Sequence, residues 1–240
     1  MKLININENV PDEFFIFVNF QNIQTRHNVE KTKCIFSSAF LQYIEEVDKS
    51  FASKHLKGVI TAFDPINAGK KNFAAKYING KVNYLPFSYN WDSDIDFISM
   101  FNHNITNEYQ TEYNCELHRY YNFPKYPSRL SSCYAFGDYE SCKLVSQKYG
   151  WKLDTIRKFK LIPHEKNRVA KVNMEIISLQ RLANNISMQD ITTLNQVWSW
   201  YWNGNGELEL ELPGHSGLRH IYKSGEIWEY LVEGILEIVE

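Results

Sequence analysis

The segment from residue 123 to residue 136, FPKYPSRLSSCYAF, contains side chains that can bind an anion. Pro124 and Pro127 restrict the backbone just before Arg129, so the guanidinium is held in a well-defined position. A guanidinium held in this way suits bidentate binding of a phosphate or a carboxylate. Alternatively, the segment is a turn that leads into a strand, and Arg129 pairs with a nearby acid of the protein itself.

Two hydroxyl groups and an aromatic ring follow this arginine. Ser131 and Ser132 face opposite sides of an extended chain, and Ser132 shares its side with Tyr134. A hydroxyl beside a ring suits a planar carboxamide ligand, because the hydroxyl can hydrogen-bond to the amide while the ring stacks on it. We therefore expect one of the two serines, together with Tyr134, to face a ligand.

A single acid stands out near the end of the sequence. The segment from Glu226 to Val232 has the composition of a strand. In such a strand Glu229 lies between Ile227 and Leu231 on the same side. A buried carboxylate is costly unless it is paired or used, which makes Glu229 a candidate functional residue. Alternatively, the strand ends there and Glu229 lies in solvent.

The elements that must position these residues follow from the hydrophobic pattern. It predicts strands at Phe14–Phe20, Val59–Ala62, 153–162, 226–232 and 235–239, and helices at 36–56, 138–149 and 190–202. Residues 169–182 fit either a strand or a helix. Residues 67–113 have weak periodicity and predict a loop-rich insertion. We expect a single α+β domain that spans residues 1–240.

The composition excludes several classes of protein. With 240 residues, a net charge of −2 and 44% hydrophobic residues, the chain is neither globally disordered nor a strongly basic nucleic-acid binder. No apolar run reaches about 18 residues, and the first residues lack the apolar core of an export signal. The four cysteines have no zinc-type spacing. We expect a cytoplasmic protein with reduced thiols, without a metal or a membrane partner.

Three motifs occur in order between residues 115 and 240. They are Phe-Pro-x-x-Pro-Ser-Arg-x-x-Ser at 123–132, preceded by Arg119; Tyr-Trp-x-Gly at 201–204; and Trp-Glu at 228–229. This pattern resembles a bacterial and phage family of ADP-ribosyltransferase-like toxins. The segments SSCYAFGDYESCKLVSQKY and EIWEYLVEGILEI are similar to strands of poly-ADP-ribose polymerase-type catalytic domains. The resemblance implies a split antiparallel β-sheet core with flanking helices.

The resemblance also implies an activity, the transfer of ADP-ribose from NAD to an acceptor after the nicotinamide–ribose bond is cleaved. Glu229 then stabilises the oxocarbenium-like ribose or activates the acceptor, and Tyr134 stacks on nicotinamide. Ser131 or Ser132 binds the nicotinamide amide or the ribose. Arg129, with Arg119 as a second candidate, binds the pyrophosphate or the acceptor.

The first strand departs from the family pattern. The family carries His or Arg there to hold the NAD ribose, whereas this chain has Asn19, an amide that can donate and accept hydrogen bonds. Arg26 and His27 are rivals for the same role. Arg119 is alternatively a structural cation–π partner of its aromatic neighbours.

Relatives of this kind include toxins that act inside their own cell, are held by an antitoxin, take part in phage defence and modify nucleic-acid bases. The resemblance therefore implies an RNA acceptor rather than protein or DNA, and an antitoxin partner. Aromatic residues that can stack on bases, or else fill a core, are Trp198, Trp200, Tyr201 and Trp202. Basic residues that can follow phosphates, or else form a solvated face, are Lys152, Arg157, Lys158, Lys160, Lys166, Arg168 and Lys171. The alternatives are a protein-directed transferase, a non-catalytic NAD- or nucleotide-binding module, and a structural or phage-assembly protein whose aromatic residues pack in a core.

Overall fold

The computed structural model describes residues 4–5, 10–59, 100–187, 189–214 and 218–239. The helices are α1 (Ile23–His27), α2 (Ser38–Val47), α3 (Lys49–His55), α4 (Met100–Asn122), α5 (Tyr139–Tyr149), α6 (Met174–Ile186) and α7 (Ile191–Trp202). The strands are β1 (Ile4–Asn5), β2 (Phe14–Phe17), β3 (Cys34–Phe36), β4 (Cys133–Ala135), β5 (Ile156–Leu161), β6 (Arg168–Asn173), β7 (Glu209–Pro213), β8 (Arg219–Lys223), β9 (Trp228–Glu233) and β10 (Ile235–Ile238).

Eight of these strands form two four-stranded sheets. The first sheet has the order β1-β6-β9-β4 and the second has the order β2-β5-β10-β3, while β7 and β8 form a separate ribbon. Neighbouring strands of the described residues are antiparallel except for β1 and β6. The predicted combination of helices with antiparallel strands, typical of the α+β class, is confirmed.

The chain passes from one sheet to the other at Gly234. This residue separates β9, in the first sheet, from β10, in the second. A Cβ at this position would lie 2.6 Å from Leu161 Cδ1 and 2.9 Å from Asn167 Oδ1, so the close approach requires glycine. The two sheets also meet where Phe15 and Phe136 exchange backbone hydrogen bonds of 2.8 Å. The two terminal strands are therefore not a hairpin, because each pairs within a different sheet.

Local signals in the sequence fix several helix ends. The carboxylate of Asp138 accepts a hydrogen bond of 2.7 Å from the Ser141 N–H at the start of α5, and Gly150 ends that helix with a left-handed φ of 71°. Asp190 caps α7 in the same way, with 2.9 Å to the Thr193 N–H. Both helices lie within the predicted segments.

Two predicted elements are divided in the structure. The predicted helix over 36–56 is two helices, because the Asp48 carboxylate accepts from the Phe51 N–H at 3.0 Å and starts α3. The ambiguous segment 169–182 is a strand up to Asn173 and a helix afterwards, with the Asn173 side chain as the helix cap. The strand predicted over 153–162 begins at Ile156, after a 3-10 turn at Leu153–Thr155.

The predicted insertion needs a correction at its end. Residues 100–113 belong to the 23-residue helix α4 and are not loop. Residues 67–99, and most of the strand predicted at Val59–Ala62, lie outside the described residues. Within the described ranges, no helix has the length and apolar character needed to cross a membrane. All four cysteines are free thiols.

Three of the four aromatic residues of α7 form core, which is one of the two alternatives that their spacing left open. Trp198, Tyr201 and Trp202 are at most 1% exposed and pack with α6 against β6 and β9. Trp200 alone of the four is 40% exposed. Burial of a Trp or Tyr side chain removes a large apolar area from water, which is why the helical spacing of these rings leads to a core.

Candidate active site

A cleft of about 580 Å³ lies between the two sheets and is flanked by α4 and α6. Ligand sites in proteins are commonly concave and of this size, with many apolar and few polar groups. The residues that line it are Ile16, Phe17, Val18, Asn19, Thr25, Ile35, Phe36, Glu112, Arg129, Ser132, Cys133, Tyr134, Phe136, Trp151, Met174, Ile177, Ser178, Arg181 and Glu229.

Arg129 lies at the centre of a buried polar network in this cleft. Its Nε and Nη2 donate to the two carboxylate oxygens of Glu112 at 2.9 and 3.1 Å. Its Nη1 donates to Glu229 Oε1 at 2.6 Å and to the Tyr201 hydroxyl at 2.5 Å. Four of the five guanidinium N–H groups are therefore engaged with the protein itself. The geometry is that of an arginine paired with acids of its own chain.

Glu229 is buried, as its alternation with apolar residues predicts. It lies on β9 opposite Val172 of β6 and is 4% exposed. Burial raises the pKa of Glu229 above its ordinary value; Arg129 acts in the opposite direction and does not reverse the shift. The carboxylate is thus more basic than a glutamate in water, although it is ion-paired.

Glu112 binds the same guanidinium, but its pKa shifts in the opposite direction to that of Glu229. Burial acts to raise the pKa of Glu112, yet the ion pairs with Arg129 and with Arg181 together lower it below the ordinary value. Glu112 is therefore the ionised partner of the arginine, and Glu229 is the carboxylate that takes up a proton more readily. Two acids whose pKa values are separated by their surroundings are suited to different roles.

Tyr134 stands beside this network. It lies on β4 opposite Leu231 of β9 and is 38% exposed to the cleft and solvent. Its hydroxyl donates to the Arg129 carbonyl at 2.6 Å, and the Arg129 guanidinium lies 5.0 Å from the centre of its ring. The ring is held in place from both ends, with part of its surface open to a ligand.

Two further predicted residues also line the cleft. Asn19 follows β2 and is exposed, and its side-chain oxygen accepts from the Gln21 N–H at 3.1 Å. Ser132 donates to the Ser128 carbonyl at 2.7 Å. Ser131 and Ser132 lie in a turn, not in the extended chain assumed from the sequence, but they still face different surroundings.

Neither a protein-family model nor a curated protein matches this chain. Within the described parts of the chain, no group of three or more His, Cys, Asp or Glu side chains is arranged to hold a metal ion.

Two of the predicted cofactor-binding residues lie away from the cleft. The Ser131 hydroxyl donates to Glu233 Oε1 at 2.9 Å, next to the ion pair of Glu233 with Arg168. The buried Arg119 makes an ion pair of 2.7 Å with Glu116 and donates to the Tyr126 carbonyl at 3.0 Å. Arg119 therefore holds the loop that follows α4.

The structure also shows where the rivals of Asn19 and the basic residues between 152 and 171 lie. Arg26 and His27 lie on α1 and are not among the residues of the cleft. Several cations of the basic stretch contact protein groups: Lys158 pairs with Glu13, Lys166 pairs with Glu165, Arg168 pairs with Glu233, Arg157 lies over Phe20 and Lys171 lies over Trp228.

Sequence reasoning missed Glu112 and Arg181 as residues of the cleft. Glu112 lies in the segment predicted as an insertion, and Arg181 lies in the segment that fits either a strand or a helix. A signal was available: Glu108, Glu112 and Glu116 recur every four residues, as acids on one face of a helix do, and Arg119 follows Glu116 by three. That pattern predicts a helix with acids available to pair with an arginine.

Proposed function

We propose that this protein is an NAD-dependent mono-ADP-ribosyltransferase with a split-sheet fold of the ADP-ribosyltransferase type. The observation that carries the proposal is that Glu229 and Tyr134, on the antiparallel strands β9 and β4, line the same cleft between the two sheets. The motif resemblance assigns one of them to the ribose of NAD and the other to nicotinamide. A molecule in which they faced opposite sides would not have supported it.

In this reaction the bond between nicotinamide and C1′ of the ribose breaks, and its electron pair leaves with nicotinamide. Positive charge develops on the ribose, where the Glu229 carboxylate stabilises it. An O–H or N–H group of the acceptor then attacks C1′ and gives up its proton. The raised pKa of Glu229 favours this carboxylate as the base that takes the proton.

Arg129 and Glu112 act on Glu229 in this proposal. The Arg129 Nη1 holds Glu229 Oε1, and Glu112 holds the rest of the guanidinium, so the reacting carboxylate has a fixed orientation. The Tyr201 hydroxyl lies 3.5 Å from the same oxygen and restricts it further. Preorganised charged groups of this kind avoid reorganisation during the reaction. In this proposal Arg129 is thus a positioning residue, in place of the pyrophosphate or acceptor ligand that the resemblance implies.

The other residues of the cleft bind NAD. Tyr134 offers an exposed ring face to nicotinamide. Ser132, two residues before Tyr134, also lines the cleft, and its hydroxyl binds the amide or the ribose. Asn19, at the opposite wall formed by β2, takes the position of the family's His or Arg and supplies an amide for the ribose.

The acceptor in this proposal is RNA, and the setting is a cytoplasmic toxin with an antitoxin partner. This part rests on the resemblance alone, because the aromatic residues of α7 are mostly core and many of the basic residues pair with protein groups. The exposed Trp151 at the cleft is an aromatic ring available for a base.

The deciding experiment is incubation of the protein with labelled NAD and separate pools of RNA, DNA and protein. We expect label in the RNA pool and release of nicotinamide by the wild type, and loss of both in Glu229→Gln. Glu237→Gln is the matched control, since Glu237 is an exposed acid on β10, the next strand along the chain, which belongs to the other sheet. Equal nicotinamide release by wild type and Glu229→Gln contradicts the role of Glu229. Label in the protein or DNA pool identifies a different acceptor.

A non-catalytic NAD-binding module is the second candidate, and one observation favours it. Glu229 is 4% exposed and already bound to Arg129, an arrangement that serves a structural role equally well. A thermal shift with NAD but no release of nicotinamide in any acceptor pool would support this candidate over the transferase.

A further inference from the structure

Arg181 differs from the other cation of the cleft in what its guanidinium contacts. Arg129 and Arg181 are the cationic residues among the described residues that line the cleft. Arg129 is 7% exposed at its side chain and uses four N–H groups on protein acceptors. The side chain of Arg181 is 38% exposed, and Nη2 donates to Glu112 Oε1 at 3.2 Å. The two arginines therefore differ in the donor capacity left for a ligand.

One buried hydrogen-bond donor of Arg181 lacks an acceptor. Its Nε is buried and has no hydrogen-bond partner among the described residues. A buried N–H without a partner is costly, so the acceptor of such a group is commonly a water molecule, an ion or a ligand. The Nε and one Nη of an arginine form the edge that binds a phosphate or a carboxylate in a bidentate manner.

The backbone that carries Arg181 is well fixed. Arg181 shares one face of α6 with Met174, Ile177 and Ser178, which follow the helical spacing and also line the cleft. The Arg181 carbonyl accepts from Asn107 Nδ2 of α4 at 2.9 Å, which ties the two helices together. The side chain thus extends from a rigid support into the cleft.

A row of alternating charges connects Arg181 to the candidate catalytic acid. Glu229 pairs with Arg129 at 2.6 Å, Arg129 pairs with Glu112 at 2.9 Å, and Glu112 pairs with Arg181 at 3.2 Å. The row has a carboxylate at one end and a partly exposed guanidinium at the other. A ligand that places a sugar at Glu229 and an anionic group next to that sugar matches this order of charges.

We propose that Arg181 is the anion-binding residue of the cleft and that it takes a pyrophosphate. When the 3.2 Å contact of Nη2 with Glu112 opens, the guanidinium turns towards the cleft, and its Nε and Nη groups donate to phosphate oxygens. That the pyrophosphate belongs to NAD rests on the proposed function. The anion site itself follows from the unpartnered Nε of Arg181 and from its partly exposed guanidinium.

Calorimetric titration of the full chain with ADP-ribose, inorganic pyrophosphate and nicotinamide tests this assignment. For Arg181→Gln we expect affinity for ADP-ribose and for pyrophosphate to fall about tenfold or more, with nicotinamide unaffected. Arg181→Lys is expected to restore part of the loss, since it keeps the charge without the fork. Arg219→Gln is the matched control, because Arg219 is an exposed arginine on the separate ribbon. Thermal unfolding of each variant checks that it is folded.

The outcomes separate this inference from the proposed function. If pyrophosphate binding depends on Arg181 but ADP-ribose binds no more tightly than pyrophosphate and nicotinamide does not bind, the anion site stands and the NAD-dependent function fails. If ADP-ribose binds wild type and Arg181→Gln equally, the Arg181 assignment is overturned while the function stands. If the wild type binds neither ADP-ribose nor pyrophosphate, both the Arg181 assignment and the proposed function are overturned.

Discussion

Replacing Arg129 with methionine removes the cation that holds two buried carboxylates. The side chains of Arg129 and Glu229 are 7% and 5% exposed, and that of Glu112 is 19% exposed, so water cannot replace the lost partner fully. Removing one member of a buried ion pair typically costs about 3–5 kcal/mol. We expect Arg129→Met to lower the free energy of unfolding by about this amount at pH 8.

The pH dependence of this loss identifies its cause. In the variant, Glu229 is buried without a counter-ion, so its folded-state pKa rises further above the ordinary value of 4.5, whereas Glu112 keeps its ion pair with Arg181. The folded state then binds more protons than the unfolded state between these values, and stability falls as pH rises through that window. The cost of Arg129→Met is therefore largest at pH 8 and decreases as the pH approaches 4.5.

Urea unfolding followed by circular dichroism measures both effects. Arg219→Met is the control, because Arg219 is 72% exposed and its ion pair with Glu211 is at the surface. In a background of Glu112→Gln and Glu229→Gln, Arg129→Met should no longer destabilise, since the arginine there is a buried cation without an acid. A loss at pH 8 as small as that of the control, or a loss independent of pH, refutes the reasoning.

Two further predictions concern stability alone. Because burial raises the folded-state pKa of Glu229, the free energy of unfolding of the wild type should fall as the pH rises above 4.5. In urea titrations at several pH values, Glu229→Gln should show a weaker dependence of stability on pH. The same dependence in the variant and the wild type contradicts the raised pKa of Glu229. Gly234→Ala should lower the free energy of unfolding by about 1–3 kcal/mol, because the added methyl group overpacks against Leu161 and Asn167. Gly206→Ala should lower it less, because its methyl group meets only the flexible Glu226 side chain at 3.2 Å. Thermal unfolding compares the two variants, and equal losses of stability refute the packing argument.

The parts of the fold that the sequence predicts are those with strong local signals. Asp138 and Asp190 are helix caps whose side chains bond to the next turn, so α5 and α7 follow from short-range chemistry. The assignment of β9 and β10 to different sheets depends on Gly234, Leu161 and partners far along the chain. A strand pattern does not contain that information, and a hairpin is the simpler expectation from it.

The candidate site was predictable to a similar extent. Glu229 could be identified because an acid between apolar residues of a strand needs a partner, and Tyr134 because of its place in the loop motif. The partners Glu112, Arg181 and Tyr201 come from three different helices and reach the site through tertiary packing. Arg129 illustrates the consequence: its rigid loop was visible in the sequence, but the choice between phosphate and carboxylate depended on acids elsewhere.

The loop that carries the Pro-Ser-Arg motif is fastened to one face of β9 at two points. Arg129 reaches Glu229, while the Ser128 N–H donates to Glu233 Oε1 at 2.9 Å, and the two acids are four residues apart on the same side of the strand. The motif residues therefore hold the loop and orient the carboxylate at once. If the proposed transferase reaction takes place, conservative changes in this loop that move Arg129 should change its rate through Glu229, because the position of that acid and the conformation of the loop are set by the same contacts.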